Sequence, residues 1–189
     1  MRAASLRHLV VAGLWSALAA TGGDIPRPAP DFPIPMPDGR ILRPADYKGK
    51  VVVVEFLLTT CPACQNAAHI LSRLQGEYGP KGLVIIGVAI NAGAERLVGG
   101  FMANHATTFP VGVRNEDAAR AYLQIPIMNR LLFPQLVFID RNGVIRSHRG
   151  GGNDETFFAD EEKNLRLEIE RLLKEPAKNT AASKRPIKK

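Results

Sequence analysis

Two cysteines, Cys61 and Cys64, are the only thiols of the 189-residue chain, and Pro62 and Ala63 separate them. An apolar, strand-like run over residues 51–58 precedes the pair, and a helical pattern follows it. We therefore expect Cys61 at the N-cap of a helix, with Pro62 in the first turn, where its missing N–H costs nothing. Free amide donors and the helix dipole stabilise a thiolate there, and can lower a thiol pKa from about 8.5 to roughly 3.5–7.5. This predicts that Cys61 is a nucleophile, and that Cys64, one turn further and less exposed, resolves a mixed disulfide on Cys61.

Cysteines at this spacing also occur in zinc sites and in small structural disulfides. With two cysteines only, a zinc site would need two histidines, and no two of the four histidines have a finger-like spacing. These are His8, His69, His105 and His148. A disulfide between residues three positions apart closes too small a loop to stabilise the fold appreciably. Redox chemistry is the favoured interpretation, and neither a metal nor a cofactor is predicted.

Glu55 interrupts an otherwise apolar strand pattern between Val54 and Phe56. A carboxylate in a strand that is covered on both faces loses hydration, and its pKa rises. Because Glu55 lies six residues before Cys61, the end of the strand would place it beneath the cysteine pair. We predict that it accepts the proton of Cys64 when that thiol attacks. The alternative is an edge strand in which Glu55 faces water.

The elements around the cysteine pair alternate between strand-like and helix-like patterns, which is typical of an α/β fold. The first helix has apolar positions at Ala67, Ile70, Leu71, Leu74 and Tyr78. It ends at Gly79-Pro80, and a buried strand over 83–90 follows, parallel to the first strand through a right-handed crossover. We then predict a helix over 94–105, a strand within 109–113 and a helix over 115–123. The second helix is expected to turn Leu97, Phe101 and Met102 inward, and Asn115 to cap the third.

Residues 124–134 are predicted to be irregular, and they lead to a strand over 135–139. Asp140-Arg141-Asn142-Gly143 predicts a hairpin turn before an antiparallel strand over 144–148. The three glycines 150–152 lack the sequence of a phosphate-binding loop and are expected to form a flexible loop. The last predicted helix covers roughly 160–174. Its inward positions are Leu165, Ile169, Leu172 and Leu173, and its first turn carries Asp160, Glu161 and Glu162.

Pro134 stands directly before a predicted strand, where it cannot donate a ladder hydrogen bond. A cis Phe133–Pro134 bond would turn the chain sharply and leave backbone groups beside Cys61 free to pair with a substrate peptide. An ordinary trans proline at a strand start is the alternative.

The composition, with 46% hydrophobic and 23% charged residues, is that of one globular domain with appendages. The net charge of +7 is concentrated at the chain ends, because the segment between residues 21 and 173 has 17 Lys/Arg and 17 Asp/Glu. No basic face with interleaved aromatic residues is evident, so nucleic acid is not a predicted partner.

Residues 1–20 read as a secretory signal, with Arg2 and Arg7 before a short apolar core. A retained N-terminal membrane anchor is the alternative. Residues 21–36 are a proline-rich linker, residues 37–174 the folded domain and residues 175–189 a disordered basic tail. Export predicts a periplasmic or otherwise extracytoplasmic protein in an oxidising compartment.

Residues 29–174 resemble the thioredoxin superfamily, specifically exported TlpA/ResA-like thiol–disulfide oxidoreductases of the redoxin/AhpC-TSA group. The matching segments are Pro37-Asp38-Gly39-Arg40, Gly49-Lys50-Val51-Val52-Val53-Val54, Cys61-Pro62-Ala63-Cys64, Phe133-Pro134 and Ile139-Asp140-Arg141-Asn142-Gly143. The resemblance implies a central mixed β-sheet flanked by helices, extended by an N-terminal β-hairpin and by an inserted strand and helix region over 91–123. It also implies that Cys61 attacks, that Cys64 resolves, that Pro134 is cis and that Glu55 is the buried acid.

Two features depart from the family pattern. Thr60 stands where the family usually has tryptophan, which leaves the substrate-facing surface less aromatic. The approach to Pro134, residues 126–132, is longer than usual. With these departures, the residues expected to meet the substrate are Thr60, Pro62, Phe133 and Pro134.

The leading function is reduction of protein disulfides outside the cytoplasm by a monomer that receives electrons from a membrane donor. The resemblance implies a role in cytochrome c maturation. A peroxiredoxin is a second possibility, but Val54 and Leu58 stand where that enzyme has the proline and threonine of its peroxide site. A copper(I) carrier is a third, because soft thiolates suit that ion. Related carriers space their cysteines one residue further apart and add a histidine, for which His105 and His148 are remote candidates.

Overall fold

The computed structural model describes residues 24–152 and 154–177. Its strands are β1 (Arg27–Pro28), β2 (Ile34–Pro35), β3 (Ile41–Leu42), β4 (Val51–Leu57), β5 (Leu83–Ala89), β6 (Val111–Val113), β7 (Gln135–Ile139) and β8 (Val144–Gly150). Its helices are α1 (Pro62–Tyr78), α2 (Ala94–Asn104), α3 (Glu116–Leu123), α4 (Glu155–Ala159) and α5 (Glu161–Lys174). The predicted signal over 1–20 and most of the predicted basic tail lie outside the described residues. Within the described ranges, no helix is long and apolar enough to cross a bilayer.

A six-stranded mixed sheet forms the centre of the fold, in the order β1-β8-β7-β4-β5-β6. Strand β4 lies inside the sheet, parallel to β5 on one side and antiparallel to β7 on the other. All seven residues of β4 are buried, because helices and the N-terminal segment cover both faces of the sheet. The predicted mixed sheet with flanking helices is therefore confirmed, and β4 is not an edge strand.

The two faces of β4 enter two different hydrophobic clusters, because successive side chains of a strand point to opposite sides. Val53 and Leu57 pack in the cluster that contains α1 and α5. Val54 and Phe56 pack on the other side, against α3 and the N-terminal segment. Glu55 alternates with Val54 and Phe56, so its side chain lies on the face that α1 and α5 cover.

The proline-rich segment before residue 37 is extended, as predicted, but it is not a free linker. Strand β1 pairs with β8, while β2 and β3 form the predicted small antiparallel hairpin. Phe32, Ile34 and Met36 are at most 7% exposed. These apolar residues alternate with prolines and anchor the segment on the sheet, so the packed part of the chain begins earlier than the composition suggests.

Helix α2 corrects one expectation. Leu97, predicted to face inward, is 44% exposed, whereas Val98 is fully buried together with Ala94. Phe101 is buried as expected, and Met102 is half-buried. The sequence offers two overlapping apolar stripes at helical spacing, and packing against the sheet selects the one that starts at Ala94.

The chain after β8 also differs from expectation. The short helix α4, for which the sequence analysis made no prediction, precedes α5 and buries Phe157. Asn164 of α5 donates a hydrogen bond to the carbonyl of Phe157 at 2.9 Å, which fixes the two helices against each other.

Candidate active site

The cysteine pair lies where β4 turns into α1. Cys61 is the N-cap of α1, and its Sγ accepts a hydrogen bond from the backbone N–H of Cys64 at 3.4 Å. Cys61 is partly exposed, whereas Cys64 is fully buried. Pro62 and Thr60 are exposed on either side of Cys61. The predicted positions of the two thiols, one at the surface and one behind it, are confirmed.

Asn91 holds the turn before Cys61 and was missed by the sequence reasoning. Its Oδ1 accepts hydrogen bonds from the backbone N–H of Thr59 at 2.9 Å and from the hydroxyl of Thr59 at 3.3 Å. Gln65 donates to the carbonyl of Thr59 at 3.1 Å. Because Asn91 follows β5 closely, the neighbouring parallel strand fixes the position of the cysteine turn. A polar residue just after a buried strand is the signal that could have identified it.

The segment that faces Cys61 contains a cis Phe133–Pro134 peptide bond, as predicted. The carbonyl oxygen of Phe133 lies 4.0 Å from Cys61 Sγ. Gly151 donates its N–H to the carbonyl of Pro134 at 2.8 Å, and a Cβ on Gly151 would lie 2.6 Å from the Phe133 oxygen. The glycines at the end of β8 therefore pack closely against Phe133-Pro134, here called the proline segment, rather than forming a flexible loop.

Gln135 and His148, which the sequence analysis did not place in the site, stand behind the proline segment. Gln135 Oε1 lies 2.6 Å from His148 Nε2, and the Gln135 amide donates to the carbonyl of Leu132. Burial lowers the pKa of His148 to about 4. Both residues line a groove of about 940 Å³, and Met128, which is 90% exposed, stands at its edge.

Glu55 is wholly buried, and neither of its carboxylate oxygens has a hydrogen-bond partner among the described residues. Burial raises its pKa well above the usual value, and the negative charges of Glu161 and Cys61 raise it further. Burial also raises the pKa of the Cys64 thiol, with contributions from Cys61 and Glu55. The predicted burial of Glu55 is confirmed, and its electrostatic interactions link it to both thiols.

Glu161, which the sequence analysis placed in the first turn of the last helix, is a second buried carboxylate. It is 9% exposed, and one oxygen accepts a hydrogen bond from the Asn66 side chain at 2.9 Å. Burial raises its pKa, while the Asn66 bond opposes the shift. A glutamate four residues before a buried leucine, Leu165, was the available signal, because the two share one helix face.

This geometry suits two-step thiol–disulfide exchange, with one accessible thiol, a second thiol one turn behind it and a buried carboxylate beneath them. Known proteins with the same chemistry are similar to this chain. Thiol-disulfide oxidoreductase ResA of Geobacillus thermodenitrificans is 29% identical over 145 residues, which cover 76% of this chain and 78% of ResA. Thiol:disulfide interchange protein DsbE of Pseudomonas fluorescens biotype C is 29% identical over 162 residues, 81% and 84% of the two chains.

A solved thiol:disulfide interchange protein of the thioredoxin family from Chlorobium tepidum has the same fold, with a TM-score of 0.65. It shares 22% sequence identity, and the match covers 80% of this chain and 99% of that one. Fold, cysteine pair and relatives together define a thioredoxin-like thiol–disulfide oxidoreductase of the ResA/DsbE type. Residues 26–168 match the Redoxin family, and the chain belongs to that family.

Proposed function

We propose that the protein reduces disulfide bonds of exported proteins, with Cys61 as the attacking thiol and Cys64 as the resolving thiol. The unequal exposure of the two thiols is the observation that carries this assignment. Cys61 is partly exposed, and its Sγ accepts the Cys64 N–H at the N-terminus of α1, a position where helix termini favour negatively charged groups. Cys64 is fully buried and its pKa is raised, so it acts only after a substrate is bound to Cys61.

The reaction proceeds in two balanced steps. The Cys61 thiolate attacks one sulfur of the substrate disulfide, the substrate S–S bond breaks, and the second substrate sulfur leaves as a thiolate. Cys64 then loses its proton, and its thiolate attacks Cys61 Sγ, which releases the remaining substrate thiolate and forms the Cys61–Cys64 disulfide. Two electrons pass to the substrate. An external dithiol donor, which we propose to be a membrane protein, reduces the pair again.

Glu55 is the proposed acceptor of the Cys64 proton. A buried carboxylate with a raised pKa can take up a proton near neutral pH, whereas an exposed one is too weak a base. Its two oxygens have no hydrogen-bond partner among the described residues, so they are available to the thiol.

The surface around Cys61 is proposed to bind an unfolded polypeptide. The backbone at Phe133 and Pro134 lies beside the sulfur, and the exposed residues Thr60 and Pro62 flank it. An extended substrate segment can pair with the backbone before Pro134, in the manner of an added strand. Apolar side chains of the substrate can contact Met128 and the groove next to it.

The proposed location is outside the cytoplasm, supported by the signal-like sequence over 1–20 and by the use of both cysteines for chemistry. The chain is anchored to the membrane if that segment is retained. The end of the domain at residue 174, the tail over 175–189 and a monomeric state belong to the same proposal. Resemblance to TlpA/ResA-like proteins supports apocytochrome c as the substrate.

Trapping in the exporting cell tests the function. Cys64→Ser is expected to accumulate mixed disulfides between Cys61 and its substrates, because the resolving thiol is missing. Cys61→Ser is the matched control and is expected to trap nothing and to lose reduction of a model protein disulfide. Mass spectrometry of the trapped species identifies the substrate. Equal rates of alkylation of the two thiols at neutral pH would contradict the assignment of roles.

A further inference from the structure

A second acidic residue, Glu161, occupies a core position of α5. Glu161 is the first member of the buried stripe of this helix, which continues through Leu165, Ile169 and Leu172. Leu165 packs in the same cluster as Leu57 of β4 and Cys64 of α1. Because residues four apart lie on one face of a helix, the Glu161 side chain is directed at β4 and α1 rather than at solvent.

The two glutamates under the cysteine pair differ in their access to water. Both oxygens of Glu55 are buried without a partner, and so is Oε1 of Glu161. Oε2 of Glu161 accepts a hydrogen bond from the side chain of Asn66, which is an exposed residue of α1. Within residues 24–152 and 154–177, no basic side chain forms an ion pair with Glu55 or Glu161. Among the described residues, the two carboxylates therefore have no cation to neutralise them, and Glu161 is the one that contacts a surface residue, Asn66.

Two carboxylates in such an environment do not ionise independently. Burial penalises each charge, and the second charge adds a repulsion that is weakly screened by the protein interior. One proton shared by the two groups removes most of this cost, and the groups then titrate as a pair. The charged groups that act on Glu55 are Cys61 and Cys64 from the cysteine turn and Glu161 from α5.

We propose that Glu161 is a positioning residue for the proton of the resolving step: it shares one proton with Glu55 and passes it to water beside Asn66. This rests on the proposed role of Glu55. The resolving step requires both carboxylates to be ionised. Cys64 gives its proton to Glu55, and the pair then holds this one proton. The proton moves on to Glu161 and leaves to solvent there, so Glu55 is ionised again for the next turnover.

Stopped-flow reaction of the reduced protein with Ellman's reagent separates the two steps. The first thionitrobenzoate is released when Cys61 attacks, and the second is released when Cys64 resolves the mixed disulfide. Removing the Glu161 charge lowers the pKa of Glu55, because the like-charge repulsion is lost. Glu161→Gln is therefore expected to shift the pH midpoint of the second release downward by about one unit and to leave the first release unchanged.

Glu162→Gln is the matched control, because it removes the same charge from the adjacent residue, whose side chain is 42% exposed. It is expected to keep the midpoint of the original protein. Glu55→Gln separates this proposal from the function on which it rests. If Glu55→Gln leaves the pH profile unchanged, the proton-acceptor role is wrong and the Glu161 proposal falls with it.

If Glu55→Gln changes the profile and Glu161→Gln does not, the shared proton is wrong and the role of Glu55 stands. A slower second release in Glu161→Gln with an unchanged midpoint and a lower melting temperature would show a purely structural role. That result also overturns the proposal.

Discussion

Replacing Glu55 with glutamine is expected to stabilise the protein at neutral pH. The carboxyl group is wholly buried and its pKa is raised, because burial disfavours the charged form. Glutamine has nearly the same shape, is uncharged at every pH and loses no hydrogen bond, because neither Glu55 oxygen has a partner among the described residues. The variant should therefore keep the fold and remove only the free-energy penalty of burying an ionisable carboxyl group.

The magnitude follows from proton linkage. A glutamate in an unfolded chain titrates at about 4.3, and each unit between the unfolded and folded pKa is worth about 1.4 kcal/mol. Because the folded pKa is the higher one, the folded state binds more protons in this interval, and its stability falls as the pH rises. At about pH 7 this cost is at most about 3.7 kcal/mol, the value for a carboxyl group that stays protonated in the folded state, so we expect Glu55→Gln to be more stable than the original protein by up to that amount.

Urea denaturation of the reduced protein from about pH 4 to about pH 8 measures this difference. The two unfolding free energies should nearly coincide at the acid end and diverge as the pH rises. Glu95→Gln, at an exposed position of α2, is the control and should show no such divergence. A variant that is less stable at pH 7, or a difference that does not depend on pH, would refute the reasoning.

The same substitution is expected to slow resolution by Cys64, because the proposed proton acceptor is lost. A residue that destabilises the fold and serves the reaction is a typical case of the trade-off between stability and activity. Measuring both effects in one variant tests whether Glu55 is kept for chemistry rather than for structure.

Two further predictions concern the proline segment. Gly151→Ala should lower the unfolding free energy by about 1–3 kcal/mol and slow the attack on substrate, because its Cβ would press on the Phe133 carbonyl at 2.6 Å. Gly100→Ala, in an open helical position, should instead raise the unfolding free energy by about 0.5–1 kcal/mol. Chemical denaturation measures the unfolding free energy of both variants. Because burial lowers the pKa of His148 from 6.5 to about 4, stability should fall by about 3 kcal/mol as the pH drops across that range. His148→Gln should remove this fall, and the same slope in the variant would contradict the assignment.

Local patterns predicted the parts of the site that depend on short stretches of sequence. The apolar run before Cys61 and the helical pattern after it placed the thiol at a helix cap. This was possible because the spacing of apolar residues in strands and helices repeats over a few neighbouring residues. The turn at residues 140–143 was predicted for the same reason, since Asp140 and Gly143 are specific turn residues. Glu55 was located because a single acid in an apolar strand is conspicuous.

The features that sequence reasoning missed depend on which elements meet in space. Asn91 bonds to Thr59, 32 residues away, and no local pattern contains that pairing. Glu161 looked like a favourable charge at a helix start, and only the packing of α5 on the sheet shows that it is buried. Leu97 and Val98 fit helical stripes equally well, so only the packing of α2 on the sheet determines which of the two is buried.

The open sheet has two ends at which another chain could in principle add a strand. At one end β6 is only three residues long, and the β2–β3 hairpin packs against it through Gly112. At the other end β1 pairs with Val144 and Ile145 of β8, and the rest of β8 carries Arg146 and Arg149. Short outer strands and charged side chains discourage self-association. The sheet is thereby protected against recruiting other extended polypeptides, or further copies of this chain, into aggregates.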